Sequence, residues 1–143
     1  MTAHEYLTRP ETLRREICRK AERIDALRRL SARFTAQPRE VRVRSSPDPF
    51  RMQALLAEAA DEERKIRILE AERRQALTDT ALYISCLADV RLIRLLELRY
   101  LDGCRWEEAA GVLGYCRSRI FFLHRQALAL LPPPPEPPES NSG

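Results

Sequence analysis

Two long runs of helix-forming sequence, separated by a short proline-rich segment, most constrain what this chain can fold into. In residues 11–36, apolar side chains recur at heptad spacing, which is the repeat of helices that pack side by side. The same spacing returns in a second run that begins at about Pro49. The intervening "QPREVRVRSSPDPF" contains prolines and has no helical period, so it predicts a loop near 37–49.

The heptad spacing also predicts which side chains form the contact between the two helices, here called the seam. Two amphipathic helices joined by a loop most simply fold back as an antiparallel hairpin. Each seam could instead serve as a dimerisation zipper, but the shortness of the runs and their polar seam positions favour the hairpin. The exposed side of the hairpin could still pair with a second copy of the chain, so a homodimer is an open alternative. The seam positions are Leu13, Ile17, Lys20, Ile24, Leu27, Ser31 and Phe34 in the first run, and Met52, Leu55, Ala59, Glu62, Ile66, Leu69, Arg73 and Ala76 in the second.

The C-terminal third has a different pattern, with three short helical stretches over 89–101, 106–113 and 117–131. Asp-Gly and Gly-Tyr pairs separate these stretches. A short helix, a tight glycine turn and a longer helix have the spacing of a helix-turn-helix. The expected core of this part is Leu92, Leu95, Leu96, Trp106, Ala109, Leu113, Ile120, Leu123 and Ala127.

These patterns predict an all-α protein with a definite domain order. Residues 1–10 are expected to be a flexible N-terminus, and 11–88 a coiled-coil-like helical hairpin with a break near Thr78–Thr80. Residues 89–131 are expected to form the helix-turn-helix domain. The final "PPPPEPPESNSG", residues 132–143, lacks apolar residues for a core and predicts a disordered tail.

The composition narrows the function classes. The net charge of +4, from 25 Lys+Arg and 21 Asp+Glu, permits nucleic-acid binding without demanding it. No nucleophile–base pair, phosphate loop or clustered metal ligands appear, so we expect neither an enzyme, nor a catalytic residue, nor a metal, nor a cofactor. No signal peptide or membrane span is evident, which predicts a soluble intracellular protein without a membrane partner. The dispersed cysteines predict reduced thiols; they are Cys18, Cys86, Cys104 and Cys116.

One stretch resembles a known family. The segment "LELRYLDGCRWEEAAGVLGYCRSRIFFLHRQAL", residues 96–128, resembles the fourth region of bacterial sigma factors. The shared features are an Asp-Gly turn, Glu-Glu, Leu-Gly, an Arg-x-Arg-Ile helix start and Ala-Leu. The Trp-Glu-Glu and Leu-Gly-Tyr variants are similar to small phage proteins that carry this motif behind an N-terminal helical hairpin, the phage late-gene regulators of RinA and ArpU type.

The resemblance implies a sequence-specific DNA-binding transcriptional regulator, encoded by a phage and acting in the cytoplasm of the bacterial host. Helix 117–131 would enter the major groove of double-stranded DNA, and RNA polymerase would be a further partner. The implied DNA-binding residues are Arg117 and Ser118 at base edges, Arg119, Phe121 and Arg125 at the phosphate backbone, Phe122 at a base-reading position, and Arg105 and Trp106 near the backbone at the start of the supporting helix.

The chain departs from the family pattern at several positions. Cys116 and Arg105 stand where Ser or Thr would cap a helix, so both helix starts should be weakened by about 1 kcal/mol. Phe121 and Phe122 replace polar or basic side chains on the outward face. They could touch thymine methyls, pack back onto the hairpin, or mark a protein-interaction module that binds RNA polymerase or another regulator.

Overall fold

The computed structural model describes residues 1–35 and 49–136, and these ranges are all-α, as the sequence predicts. They contain no strand. The predicted loop over 37–49 lies outside the described residues, except that its last residue is already helical. The elements are α1 (Ala3–Thr35), α2 (Pro49–Ile84), α3 (Val90–Leu96) with a π-helical continuation (Glu97–Leu101), α4 (Trp106–Leu113) and α5 (Arg117–Leu130).

The prediction of a flexible N-terminus over residues 1–10 is wrong, because helix α1 begins within it. Thr2 and Glu5 form a reciprocal capping box: the Thr2 amide donates to Glu5 Oε2 at 2.9 Å, and the Glu5 amide donates to Thr2 Oγ1 at 3.1 Å. Tyr6 and Leu7 are buried in an apolar cluster. The cap and the buried side chains together stabilise the first turns of the helix.

The two long helices continue through a proline and through an expected break. Pro10 lies inside α1 and is fully buried. The break expected near Thr78–Thr80 does not occur, because α2 continues to Ile84. Ala76, Thr80 and Tyr83 are buried along one side of α2. Burial of that side offsets the low intrinsic helix propensity of threonine.

The chain divides into two compact units, and the division differs from the expected boundary at residue 89. One unit, here the seam unit, is Leu13–Glu72; the other, here the core unit, is Met1–Thr12 with Arg73–Gly143. The end of α2 belongs to the core unit because Tyr83 and Ile84 join its apolar cluster. Local periodicity does not reveal this, since the heptad pattern of α2 continues across the boundary.

In the seam unit, the predicted seam positions that it contains are all buried or half-buried. The apolar centre is small: Ile24, Leu27 and Ala59 are buried, with Leu55 and Ile66 packed against them. Polar side chains also contribute to the contact.

Ion pairs lie at the polar seam positions and beside them. Lys20 Nζ is 3.2 Å from Glu62 Oε2, and Arg23 pairs with Glu58. Residues later in α1 thus meet residues earlier in α2, although a further pair, Arg28 with Glu63, departs from that order. The hydrogen bond from Lys20 lowers the pKa of the Glu62 carboxyl, a side chain that is only 11% exposed.

The core unit is built around large apolar side chains, and its predicted core is confirmed. Each of the residues predicted for this core is buried or packed against the buried cluster. The Tyr6 and Tyr83 rings meet edge to face, with centroids 4.9 Å apart. Leucine and isoleucine dominate the interior, and those with the lowest exposure are Leu92, Leu95, Leu96 and Ile120.

The proline-rich tail is attached at its first residue. Residues 132–136 are not helical, but Leu131 is buried and the Tyr83 hydroxyl donates a 2.5 Å hydrogen bond to the Pro132 carbonyl. The prediction of disorder beginning at residue 132 is therefore wrong at that residue. Residues 137–143 of the predicted tail lie outside the described residues. No helix in the described ranges has the length and apolarity needed to cross a membrane.

Candidate nucleic-acid interface

Helices α4 and α5 are joined by a tight turn at Gly114. This residue has a left-handed backbone, with φ 73° and ψ 27°, which favours glycine. The Ala110 carbonyl accepts hydrogen bonds from the Gly114 amide at 2.8 Å and the Tyr115 amide at 3.1 Å. Cys116 returns the chain to extended backbone, and α5 starts at the next residue. The bounds of both helices agree with the sequence prediction to within one residue.

Helix α5 has one buried side and one exposed side, largely as its spacing predicts. Ile120, Leu123 and Ala127 are buried. Most of the predicted DNA-binding residues of this helix lie on the exposed side, where they are open to a partner: Arg117, Ser118, Arg119, Phe122 and Arg125.

Phe121 differs from this prediction because it is half-buried rather than facing outward. Its ring packs on Trp106 of α4, with centroids 5.3 Å apart and planes inclined at 55°. Trp106 is itself half-buried, and it also meets the His124 ring at 4.6 Å. These two predicted contact residues therefore pack on each other and on neighbouring side chains of the core unit. Phe122 remains 51% exposed.

The arginines of α5 carry positive charge that no described acidic side chain neutralises. Within residues 1–35 and 49–136, no ion pair includes Arg117, Arg119 or Arg125. Arg105, at the start of α4, differs because its Nε lies 3.0 Å from Glu108 Oε1. The exposed side of α5 is therefore suited to an anionic partner.

Aromatic rings lie beside two of these arginines. The Arg117 guanidinium is 5.6 Å from the centroid of the Phe121 ring. The Arg119 guanidinium lies 6.0 Å from both the Tyr115 and the Phe122 rings. Cation–π attraction at these distances limits the positions that each guanidinium adopts.

The predicted absence of side-chain caps is confirmed at both helix starts. Arg105 and Cys116 occupy the N-cap positions of α4 and α5, and neither side chain makes a capping hydrogen bond. The Cys116 thiol instead lies 3.4 Å from the Ser118 hydroxyl. This hydrogen bond lowers the pKa of the Cys116 thiol.

Three side chains behind the interface were not predicted from the sequence: Arg99, Tyr100 and His124. The Tyr100 hydroxyl and His124 Nε2 are 2.6 Å apart, although the residues are 24 positions apart in the chain. Burial lowers the pKa of His124 to about 4 and raises the pKa of Tyr100 to about 12, so both are uncharged near neutral pH. Arg99 lies over the Trp106 ring at 4.9 Å. No local spacing signals these contacts between separate helices.

Comparison of the chain with protein-family models, with curated proteins and with solved structures finds no match. Among the described residues, no group of three or more histidine, cysteine, aspartate or glutamate side chains is placed to hold a metal ion.

Proposed function

We propose that this chain is a sequence-specific DNA-binding transcriptional regulator, encoded by a phage and acting in the cytoplasm of the bacterial host. Helices α4 and α5 form a helix-turn-helix like that of the fourth region of sigma factors, and α5 enters the major groove of double-stranded DNA. The second half of α1 and the first part of α2 form an antiparallel hairpin before it. The order of the Lys20–Glu62 and Arg23–Glu58 pairs supports the hairpin.

The observation that carries this proposal is the unneutralised positive side of α5. Arg117, Arg119 and Arg125 are exposed there without an ion pair among the described residues, while the opposite side of the helix is buried in the core. Arginine suits both phosphate oxygens and guanine edges because its guanidinium forms bidentate hydrogen bonds. A helix fixed on one side and arginine-rich on the other is suited to docking against a duplex.

The exposed side chains divide into two roles along α5. Arg117 and Ser118, in its first turn, read base edges. Arg119 and Arg125 contact the phosphate backbone, where they fix the position of the helix on the duplex. Arg105, at the start of α4, contacts a phosphate once its ion pair with Glu108 is broken. Phe121 and Trp106 support this surface from behind rather than touching DNA.

The proposal is tested by selecting duplexes from a random-sequence pool with the full chain, then measuring affinity by fluorescence anisotropy across a salt series. The logarithm of the affinity for the selected duplex should fall linearly with the logarithm of the salt concentration, because each phosphate contact releases bound counterions from the DNA. Arg119→Ala/Arg125→Ala should lower that slope by about 2 units. Arg91→Ala is the matched control, since exposed Arg91 already pairs with Asp89. Selection of no duplex would contradict the proposal.

A second candidate function is a protein-interaction module that binds RNA polymerase or another regulator. The exposure of Phe122, at 51%, favours it, because a large apolar side chain at the surface suits a protein partner. On this alternative, Phe122→Ala abolishes a pull-down of purified RNA polymerase and leaves DNA affinity unchanged. On the regulator proposal, Phe122→Ala alters sequence preference modestly, by removing an apolar contact to a thymine methyl.

A homodimer remains part of the proposal. Leu56 of α2 is 47% exposed in the seam unit, outside the seam. A second copy would bind through an exposed side of the hairpin. Sedimentation of the full chain over a concentration series distinguishes monomer from dimer.

A further inference from the structure

Four side chains of the core unit lie in series from the interior to the proposed DNA surface. The Arg99 guanidinium is 4.9 Å from the Trp106 ring, Trp106 is 5.3 Å from Phe121, and Phe121 is 5.6 Å from the Arg117 guanidinium. The series thus runs from one cation through two aromatic rings to a second cation. We call it the aromatic stack.

The inner end of the stack is fixed by hydrogen bonds and packing. Arg99 Nη1 donates to the Cys104 carbonyl at 3.1 Å, which holds the guanidinium against the indole. The His124 ring meets Trp106 nearly at a right angle, and its Nε2 is hydrogen-bonded to the Tyr100 hydroxyl. Trp106 therefore has little freedom to turn, and it gives Phe121 a fixed surface on which to pack.

The outer end of the stack is the arginine proposed to read a base. Arg117 is exposed and makes no ion pair among the described residues. The contact that restrains its guanidinium there is with the face of the Phe121 ring. Arg119 differs, because one of the two rings beside it, Phe122, is itself half exposed to solvent. The stack therefore restrains Arg117 through the core, whereas Arg119 lies against surface rings.

We infer that Phe121, held by Trp106, is a positioning residue for Arg117. The ring restricts the guanidinium before DNA is bound, so less side-chain freedom is lost when Arg117 donates to the O6 and N7 acceptors of a guanine. This explains a phenylalanine at a position where the resemblance implies a phosphate contact. The inference rests on the proposed function, and it assigns the sequence discrimination of α5 to a restrained arginine.

The test is a double-mutant cycle in the full chain, with the selected duplex and a scrambled duplex as probes. The measured quantity is the ratio of the two affinities, for the parent, Phe121→Leu, Arg117→Ala and the double variant. Phe121→Leu should lower the ratio about two- to fivefold, the range of an exposed cation–π contact. Phe121→Tyr should retain the parent ratio because it keeps the aromatic face. Thermal melting of each variant verifies that the core unit is folded.

The cycle separates positioning from a merely structural role. If Phe121 acts through Arg117, Phe121→Leu should have no further effect on the ratio in the Arg117→Ala background, and the salt slope should stay at the parent value. An equal loss in both backgrounds, or a parent ratio in Phe121→Leu, overturns the inference while leaving DNA binding intact. Failure of the parent chain to select a duplex overturns the proposed function and this inference together.

Discussion

The two units of the chain bury their side chains in different ways. In the core unit, Leu95 and Ile120 are fully buried within a cluster drawn from several short helices and the start of α1. In the seam unit, two long helices meet along one line, where buried Ile24 and Leu27 share the contact with the Lys20–Glu62 ion pair. The core unit is therefore expected to respond to lost volume, and the seam unit to added or removed charge.

The largest expected effect is on volume in the core unit. Leu95→Ala removes a side chain with no exposure and should lower the free energy of unfolding by about 2–5 kcal/mol. Leu27→Ala in the seam unit should cost less, because that side chain keeps 9% exposure in a smaller cluster that can relax around the gap. Urea unfolding followed by circular dichroism measures both. Equal losses would show that the two units are packed alike.

The next effect is a charge introduced into the seam. Ile66→Asp places a carboxylate against the apolar centre of the seam unit and should cost about 1–3 kcal/mol, with loss of helicity. Ile68→Asp is the matched control, two residues further along α2 at a position that is 60% exposed, and should change little. Circular dichroism and thermal melting compare the two variants. A seam that tolerates Ile66→Asp as well as Ile68→Asp would contradict the helix pairing.

A smaller effect is expected where the tail meets the core unit. Deletion of residues 132–143 removes the carbonyl that accepts the Tyr83 hydrogen bond and should cost about 0.5–1.5 kcal/mol. Deletion of residues 137–143 alone keeps that acceptor and should leave stability unchanged. Tyr83→Phe should reproduce the loss seen in the longer deletion. Identical melting of both truncated chains would mean that the Pro132 contact contributes nothing.

The smallest effect is the pH dependence of the seam. The hydrogen bond from Lys20 lowers the pKa of the Glu62 carboxyl in the folded chain. The ion pair therefore stabilises the fold fully above the ordinary glutamate pKa, and this stabilisation is lost as the pH falls through the lower pKa of the folded chain. Stability of the parent should therefore decline below about pH 4, the usual glutamate range. In Glu62→Gln, this part of the decline should disappear. Unfolding curves at a series of pH values measure it, and parallel curves would contradict the assignment.

The sequence predicts the seam and the bounds of α4 and α5 because these depend on local periodicity and on a single glycine turn. It does not predict helix formation in residues 1–10, where the Tyr6 ring is stabilised by Tyr83, far along the chain. Nor does it predict that Phe121 packs on Trp106, since both side chains fall at positions that their own helices leave partly exposed. Contacts between helices decide these features, and periodicity within one helix carries no signal of them.

The candidate site was predicted in part for the same reason. The exposed positions of Arg117, Arg119 and Arg125 follow from the spacing of the buried residues of α5. The hydrogen bond between Tyr100 and His124 joins separate elements, so the surroundings of Trp106 emerge only from the folded chain.

The proposed placement of α5 in the major groove is tested most directly by comparing Arg117→Ala with Arg119→Ala on the selected and scrambled duplexes over a salt series. Arg117→Ala should cost about 1–3 kcal/mol of discrimination between the two duplexes, because a bidentate contact to guanine is lost. Arg119→Ala should weaken binding to both duplexes alike and lower the salt slope by about 1 unit, because one phosphate contact is lost. If both variants bind both duplexes as the parent does, α5 does not enter the groove.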